Sequence, residues 1–198
     1  MTAIGPVIVD LVAHTLRRPR EAARRLIDFD LPMEARWLGL LLVAVVALLE
    51  TRIALLFMPS DQQAAVFAVL ADPWLGVAFQ ILSLVIIAGA MAFVGRIFGG
   101  QGVFADALLL VVWLEFLLTL AQAVQMLVMF VAPPLATLIA FAALGMFLWL
   151  LAHFTAALHG FRDLAKVFVG MVASFFVIVA VLAVLLAMLG VLPPIEKV

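Results

Sequence analysis

Residues 107–158 read ALLLVVWLEFLLTLAQAVQMLVMFVAPPLATLIAFAALGMFLWLLAHFTAAL, and this stretch decides the fold. Two adjacent prolines divide it into apolar runs at 107–132 and 134–158, each longer than the about 20 helical residues that a hydrocarbon core requires. Glu115 is the only Asp, Glu, Lys or Arg in either run. The short proline turn predicts that the two runs cross a membrane as an antiparallel helical hairpin.

Three further apolar runs, at 37–58, 74–94 and 167–190, predict three further membrane spans. Charged residues are concentrated between the runs, because a charge at the centre of a bilayer is costly. Hydrophobic residues make up 69% of the 198 residues and charged residues only 12%. A soluble domain of this size cannot bury so much apolar surface. The sequence therefore predicts an all-α integral membrane bundle of five transmembrane helices.

An amphipathic cytoplasmic arm is predicted at 1–36, before the five-span domain at 37–190 and a short outer tail at 191–198. Its first helix carries an apolar face that is too short to span, formed by Val7, Ile8, Leu11, Val12, Thr15 and Leu16. Pro19 and Glu21 indicate the start of a second helix. Five arginines of the arm are candidates for contact with anionic lipid head groups: Arg17, Arg18, Arg20, Arg24 and Arg25. A solvated arm that only sets orientation is the alternative.

Basic residues predict the orientation of the chain. Nine of the 11 Lys and Arg residues lie before the first span or in the second and fourth loops, which an odd number of spans places on one side. The positive-inside rule makes that side cytoplasmic, so we expect the N-terminus in the cytoplasm and the C-terminus outside.

Glu115 and His153 are the first candidates for intramembrane chemistry. They lie on the two spans of the hairpin, and counting from the ends of the apolar runs places them at similar depth. A carboxylate and an imidazole stabilise each other in a low dielectric, and such a pair can bind and release protons near neutral pH. A hydrogen-bonded packing pair with no functional titration is the alternative.

A second polar layer is expected nearer the outer side. Glu50, Gln80 and Gln122 come from three different spans and are predicted to form an interhelical hydrogen-bond cluster, with Gln125 beside it. Arg52 is predicted to point away from Glu50 and to extend toward the outer surface. If a water-filled route joined both polar layers, the protein would be a transporter or channel. The alternative is that these polar side chains only hold the helices together.

Several function classes are excluded by the residues present. The chain has no cysteine and a net charge of −1, which excludes thiol chemistry and gives no basic field for nucleic acid. His14, His153 and His159 are too scattered to predict a metal site. The glycine-rich segment 99–102 lacks the Lys-Ser/Thr of a nucleotide-binding loop, so no cofactor is expected. No catalytic constellation is present, which predicts a protein that is not an enzyme.

Three segments resemble recurring parts of the YIP family, which is named for Rab- or Ypt-interacting membrane proteins. They are PREAARRLI at 19–27, FGGQGVF at 98–104 and GFRDLAKV at 160–167. Residues 28–32 match the eukaryotic Asp-Leu-Tyr-Gly-Pro element only weakly, and the proline expected in the third span is absent. The resemblance therefore points to a bacterial branch in the inner membrane, without Rab binding. It implies a role in membrane organisation or partner recruitment.

The leading hypothesis is a non-enzymatic multi-pass membrane protein that scaffolds, recruits or assists other membrane components. Its expected partners are the lipid bilayer and either a membrane protein or a second copy of the chain, and the sequence identifies no small-molecule or ion substrate. The alternative is a small transporter or proton-coupled channel that uses Glu115, His153 and Glu50. A membrane-shaping module that acts through the arginines of the arm is a third hypothesis.

Overall fold

The computed structural model describes residues 4–57 and 72–188, and the regular structure in this part of the chain is entirely helical. The helices are α1 Ile4–Arg17, α2 Pro19–Asp28, α3 Met33–Leu55, α4 Pro73–Ile97, α5 Phe104–Met129, α6 Pro133–His159 and α7 Leu164–Met188.

The five helices α3 to α7 are long and apolar enough to cross a membrane. They contain between 23 and 27 residues each, which corresponds to about 35–40 Å at the α-helical rise. This confirms the predicted all-α fold with five spans. The tail at 191–198 and most of the first loop lie outside the described residues.

Local sequence signals explain where the long helices begin and end. Asp72 caps α4, because its Oδ1 accepts a hydrogen bond from the Trp74 N–H at 2.8 Å and Pro73 occupies the first helical position. Gly160 ends α6 in the left-handed region, with φ of +72°, where a residue without Cβ carries no steric penalty. Asp163 then caps the start of α7 by accepting from the Lys166 N–H at 3.2 Å.

Helix α5 is the centre of the bundle. It packs against α3, α4 and α6, and α3 also packs against α4. The most buried side chains of α5 lie in its first half, where Leu108, Leu110 and Leu114 are at most 2% exposed. Helix α7 contacts the bundle mainly through α6 and exposes most of its surface. The described core is therefore built around α3 to α6, and α7 lies at its edge.

The N-terminal helices form a folded cap on one end of the bundle. Helix α2 packs on α6 and α5, with Ala22 and Ala23 fully buried and Leu26 4% exposed. Thr15 of α1 is also fully buried. We call this end, which includes the α4–α5 loop and the α6–α7 loop, the arm end. The arm thus buries apolar surface against protein, although Val7 and Leu16 of its predicted apolar face remain exposed.

Candidate functional site

Three polar side chains from three spans lie together inside the bundle. Gln80 Nε2 of α4 donates a hydrogen bond to Glu115 Oε1 of α5 at 2.7 Å. Glu50 of α3 is close enough to Glu115 for the two carboxyl groups to interact electrostatically. Its Oε2 atom is buried and accepts no hydrogen bond within the described part of the chain. We call Glu50, Gln80 and Glu115 the polar cluster.

The predicted contact between Glu115 and His153 is wrong. His153 Nδ1 donates instead to the backbone carbonyl of Trp149, one turn earlier in α6, at 2.8 Å, and its ring packs against the Trp149 ring. Among the described residues there is no ion pair between Glu115 and His153.

The positions of the helix ends explain this error. Helix α5 begins at Phe104, so Glu115 is eleven residues, or about 16 Å, from its start. Helix α6 ends at His159, so His153 is six residues, or about 9 Å, from that end. A hydrogen bond from the Gly102 N–H to His159 holds the two ends level, which leaves the side chains at different depths.

The predicted outer polar layer is also differently composed. Gln80 bonds to Glu115 rather than to Glu50, so the structure merges parts of both expected layers. Gln122 and Gln125 are half-buried and make no side-chain hydrogen bond within the described part of the chain. Arg52 lies two residues beyond Glu50 in α3, near the end of the helix that faces away from the arm.

The structure separates the five arginines of the arm into distinct environments. Arg18 pairs with Glu21 at 3.3 Å, and Arg25 pairs with Asp10 of α1 at 3.5 Å. Arg20 Nη2 donates to the backbone carbonyl of Arg162 in the α6–α7 loop at 3.3 Å. Arg17 and Arg24 are exposed and form no ion pair with the described residues. The five side chains therefore differ in their surroundings, and their contact with anionic head groups stays a prediction.

His159 forms a tight joint at the arm end that sequence reasoning missed. Its Nδ1 accepts from the Gly102 N–H at 3.0 Å, and its Nε2 donates to the Met91 carbonyl at 2.9 Å. A Cβ atom on Gly95, Gly100 or Gly102 would collide with the imidazole ring. These glycines therefore form a cradle for His159. The glycine spacing was the available signal, but the histidine lies 57 positions after Gly102.

A buried ion pair fixes the start of α3 against the start of α5. Arg36 is only 5% exposed, and its Nη1 donates to Asp106 Oδ1 at 2.8 Å. Its Nε donates to the Leu31 carbonyl at 2.8 Å. Arg36 therefore holds two elements together at the arm end, in addition to any effect of its charge on orientation.

The comparison with family models identifies the chain. The Yip1 domain model matches residues 13–186, a range that runs from α1 into α7 and includes the polar cluster, the His159 joint and the Arg36–Asp106 pair. The chain belongs to the Yip1 family. It is a multi-pass membrane protein of that family. Comparison with curated proteins and with solved structures found no match.

Two open apolar grooves lie on the described part of the chain. One, of about 640 Å³, runs between α6 and α7 and is lined by Gly145, Leu148, Trp149, Ala152, Leu164, Ala165 and Phe168. The other, of about 210 Å³, lies where Ile8 of α1 meets α3 and α5. Among the described residues, no group of His, Asp and Glu side chains is arranged to hold a metal ion. The chemistry of the Yip1 domain is therefore that of packed helices, one intramembrane polar cluster and an ordered arm end.

Proposed function

We propose that this Yip1 family member is a non-enzymatic scaffold, which recruits or assists other membrane components through its arm end. The observation that carries the proposal is the packing of the arm onto the bundle. Ala22 and Ala23 of α2 have no exposed surface, and Trp113 Nε1 of α5 donates to the buried Thr15 Oγ1 at 3.1 Å. A topogenic segment needs only its charge, whereas a packed arm presents a defined surface.

The arm end also exposes large apolar side chains beside polar loops. Phe29 in the α2–α3 turn is 47% exposed, and Phe98 after α4 is 65% exposed. Apolar side chains at the level where the spans leave the membrane suit contact with another protein or with the lipid interface. They support a role in binding rather than in chemistry.

The orientation of the proposed scaffold follows from its basic residues. We propose that the arm end faces the cytoplasm of a bacterial cell and that the C-terminus lies outside the inner membrane. Arg17, Arg24, Arg96 and Arg162 are exposed at the arm end, which supports this orientation through the positive-inside rule.

Site-specific photocrosslinking in native membranes tests the scaffold. A photoreactive residue replaces Phe29 or Phe98 at the arm end, or Trp74 at the opposite end, where the side chain is 82% exposed. We expect discrete protein adducts from the two arm-end positions and none of the same mass from Trp74. Lipid adducts alone at all three positions would contradict a recruiting role.

The polar cluster favours a second candidate, a proton-coupled transporter or channel. The Gln80 amide bonds to the Glu115 carboxyl group, and the Glu50 carboxyl group interacts with Glu115 electrostatically. Among the described residues, Glu50 Oε2 has no hydrogen-bond donor. Intramembrane carboxyl groups are frequent parts of proton pathways. In this alternative, proteoliposomes show proton flux that Glu115→Gln abolishes and that Glu34→Gln, an exposed change at the arm end, leaves intact. Absence of flux in the unmodified protein removes the candidate.

A further inference from the structure

We propose that the arm end holds one anionic phospholipid, with its phosphate on Arg20, Arg24 and Arg162 and an acyl chain in the groove between α6 and α7. The proposal concerns the isolated protein and its lipid. Its test therefore does not depend on whether the protein is a scaffold.

The two polar flanks of α2 differ in their charge balance. On the flank that faces α1, Arg25 pairs with Asp10 and Arg18 pairs with Glu21, so each cation there has a carboxylate partner. On the other flank, Arg20 contacts the α6–α7 loop, and Arg24 follows it by four residues on the same side of the helix. Neither of these two arginines has a carboxylate partner among the described residues.

Arg20 has far more donor capacity than the protein uses. A guanidinium carries five N–H donors, and the contact of Arg20 Nη2 with the Arg162 carbonyl at 3.3 Å is its one hydrogen bond among the described residues. Its Nε is buried without an acceptor. The other Nη hydrogens remain available for an anion, because Arg20 is only partly buried.

Arg162, whose backbone carbonyl accepts the hydrogen bond from Arg20, adds a second cation with an exposed side chain in the α6–α7 loop. The neighbouring carboxylate, Asp163, does not neutralise it, because Asp163 accepts from the Lys166 N–H at 3.2 Å and lies 3.5 Å from Lys166 Nζ. Asp28, four residues after Arg24, forms no ion pair with it. The three arginines therefore have no carboxylate partner among the described residues, and this unbalanced positive charge suits a phosphate group.

The position of the site makes a lipid the source of that phosphate. Arg162 lies in the loop that joins two membrane-spanning helices, so it is at the level of the head groups on whichever side the arm end faces. A free phosphate ion gains nothing from the apolar groove beside these arginines. A phospholipid does, because its phosphate and its acyl chains are covalently joined.

The groove between α6 and α7 begins at this loop and runs into the membrane. Leu164, two residues after Arg162, lines the end of the groove that is nearest the α6–α7 loop. Gly145 lines the end that is deepest in the membrane. Gly145 is 14 residues before the end of α6, or about 21 Å deeper, which exceeds half of the about 30 Å hydrocarbon core. The groove therefore has the length for an acyl chain of one leaflet and, at about 640 Å³, the volume of a ligand site.

Native mass spectrometry of the full chain in detergent tests the cationic part. The protein is mixed with phosphatidylglycerol and phosphatidylcholine that carry identical acyl chains, and retained lipid is counted. We expect preferential retention of phosphatidylglycerol, reduced about fivefold by Arg24→Gln, since a basic residue near a membrane surface contributes about 1 kcal/mol. The matched control Arg25→Gln, on the paired flank, retains the lipid. Equal losses in both variants would overturn the site in favour of diffuse charge.

A pair of double variants gives a larger signal. Arg20→Gln with Arg162→Gln is expected to reduce retention about 25-fold, whereas Arg18→Gln with Arg25→Gln, which removes the same charge, leaves it unchanged. If the first double variant does not fold, the exposed Arg24 and Arg25 single variants decide the question. Displacement of phosphatidylglycerol by inorganic phosphate at millimolar concentration would overturn the assignment of the phosphate to a lipid.

The acyl groove is tested separately by filling it. A Cβ at Gly145 meets no atom within 4 Å, so Gly145→Leu enters the groove without a backbone clash. Gly89 in α4 is equally open and does not line the groove, so Gly89→Leu is the matched control. We expect Gly145→Leu alone to lower lipid retention. Unchanged retention in Gly145→Leu would overturn the groove as the acyl site.

Discussion

The imidazole of His159 joins the end of α6 to the α4–α5 loop, because its Nδ1 accepts a hydrogen bond from the Gly102 N–H at 3.0 Å. The second ring nitrogen donates to the Met91 carbonyl of α4 at 2.9 Å. Since a carbonyl only accepts, the proton is assigned to Nε2, and both polar atoms of this buried ring are satisfied. One side chain thereby connects three elements at the arm end.

Gly95→Ala should destabilise the protein, because the added methyl group collides with the His159 ring. We expect a loss of about 1–3 kcal/mol in unfolding free energy, as for other overpacked cores, measured by denaturant titration in detergent. Gly89→Ala is the control, since it lies in the same helix and its Cβ meets nothing within 4 Å. Equal stabilities of the two variants would show that the glycine cradle is not tight.

Arg36→Met should destabilise the protein strongly, because it leaves Asp106 without its partner in a partly buried position. Breaking a buried pair costs about 3–5 kcal/mol, whereas removing the exposed Arg25 from Asp10 costs about 0–1 kcal/mol. A double-mutant cycle that adds Asp106→Leu should recover part of the loss. Arg36→Met and Arg25→Met of equal stability would refute the structural role of Arg36.

Thr15→Val should loosen the arm without unfolding the bundle. The change removes the acceptor of the Trp113 Nε1–H at 3.1 Å and costs about 1 kcal/mol. Hydrogen exchange of α1 should become faster, while exchange of α5 is preserved. Thr137→Val is the control, because that exposed hydroxyl donates to the Pro133 carbonyl of its own helix and not to another described helix. If α1 exchanges at the same rate in both variants, the Thr15–Trp113 bond does not hold the arm.

Acid should weaken the start of α7. The hydrogen bond from the Lys166 N–H, together with the charge of Lys166, holds the pKa of Asp163 below its usual value of 3.8. A depressed pKa in the folded state means that the cap stabilises α7 above the unfolded pKa and that this contribution is lost as pH falls through the folded pKa. Thermal unfolding of the unmodified protein should therefore show a small loss below about pH 4 that Asp163→Asn lacks. An identical pH profile for both proteins would contradict the cap.

The proposed orientation is open to cysteine labelling, because the natural chain contains no cysteine. A membrane-impermeant thiol reagent should label Asp72→Cys in intact cells and should label Arg17→Cys only after the membrane is opened. Gln101→Cys, in the exposed α4–α5 loop, should behave like Arg17→Cys. Labelling of both ends of the bundle from the same side would contradict an odd number of crossings.

The fold was predictable from local pattern, but the contacts of the polar residues were not. A hydrocarbon layer excludes charge along whole segments, so the apolar runs around Glu115 and the two prolines after them suffice to predict the helices and their hairpin. Which polar side chains meet depends on where each helix begins. Helix α5 begins at Phe104 and not at residue 107, where the apolar run begins. Glu115 therefore lies deeper in the bundle than His153.

The joint at His159 was missed for a related reason. A single histidine near a loop carries no periodic signal, and its glycine partners lie at least 57 positions earlier in the chain. The arginines likewise divide into paired and unpaired flanks because of Asp10 and Glu21. The packing of α1 on α2 decides which arginine each of these carboxylates reaches. Long-range packing of this kind leaves no trace in local composition.

The docking of the arm has a consequence for biogenesis. Thr15 and Trp113 are 98 positions apart, and Arg20 and Arg162 are 142 positions apart. A ribosome adds about 5–20 residues per second. It therefore synthesises α1 and α2 on the order of ten seconds before the residues of α5 and α6 on which they pack. The N-terminal helices must remain soluble or rest on the lipid surface until insertion of the hairpin is complete, so closure of the arm end is among the last steps in maturation of the nascent polypeptide.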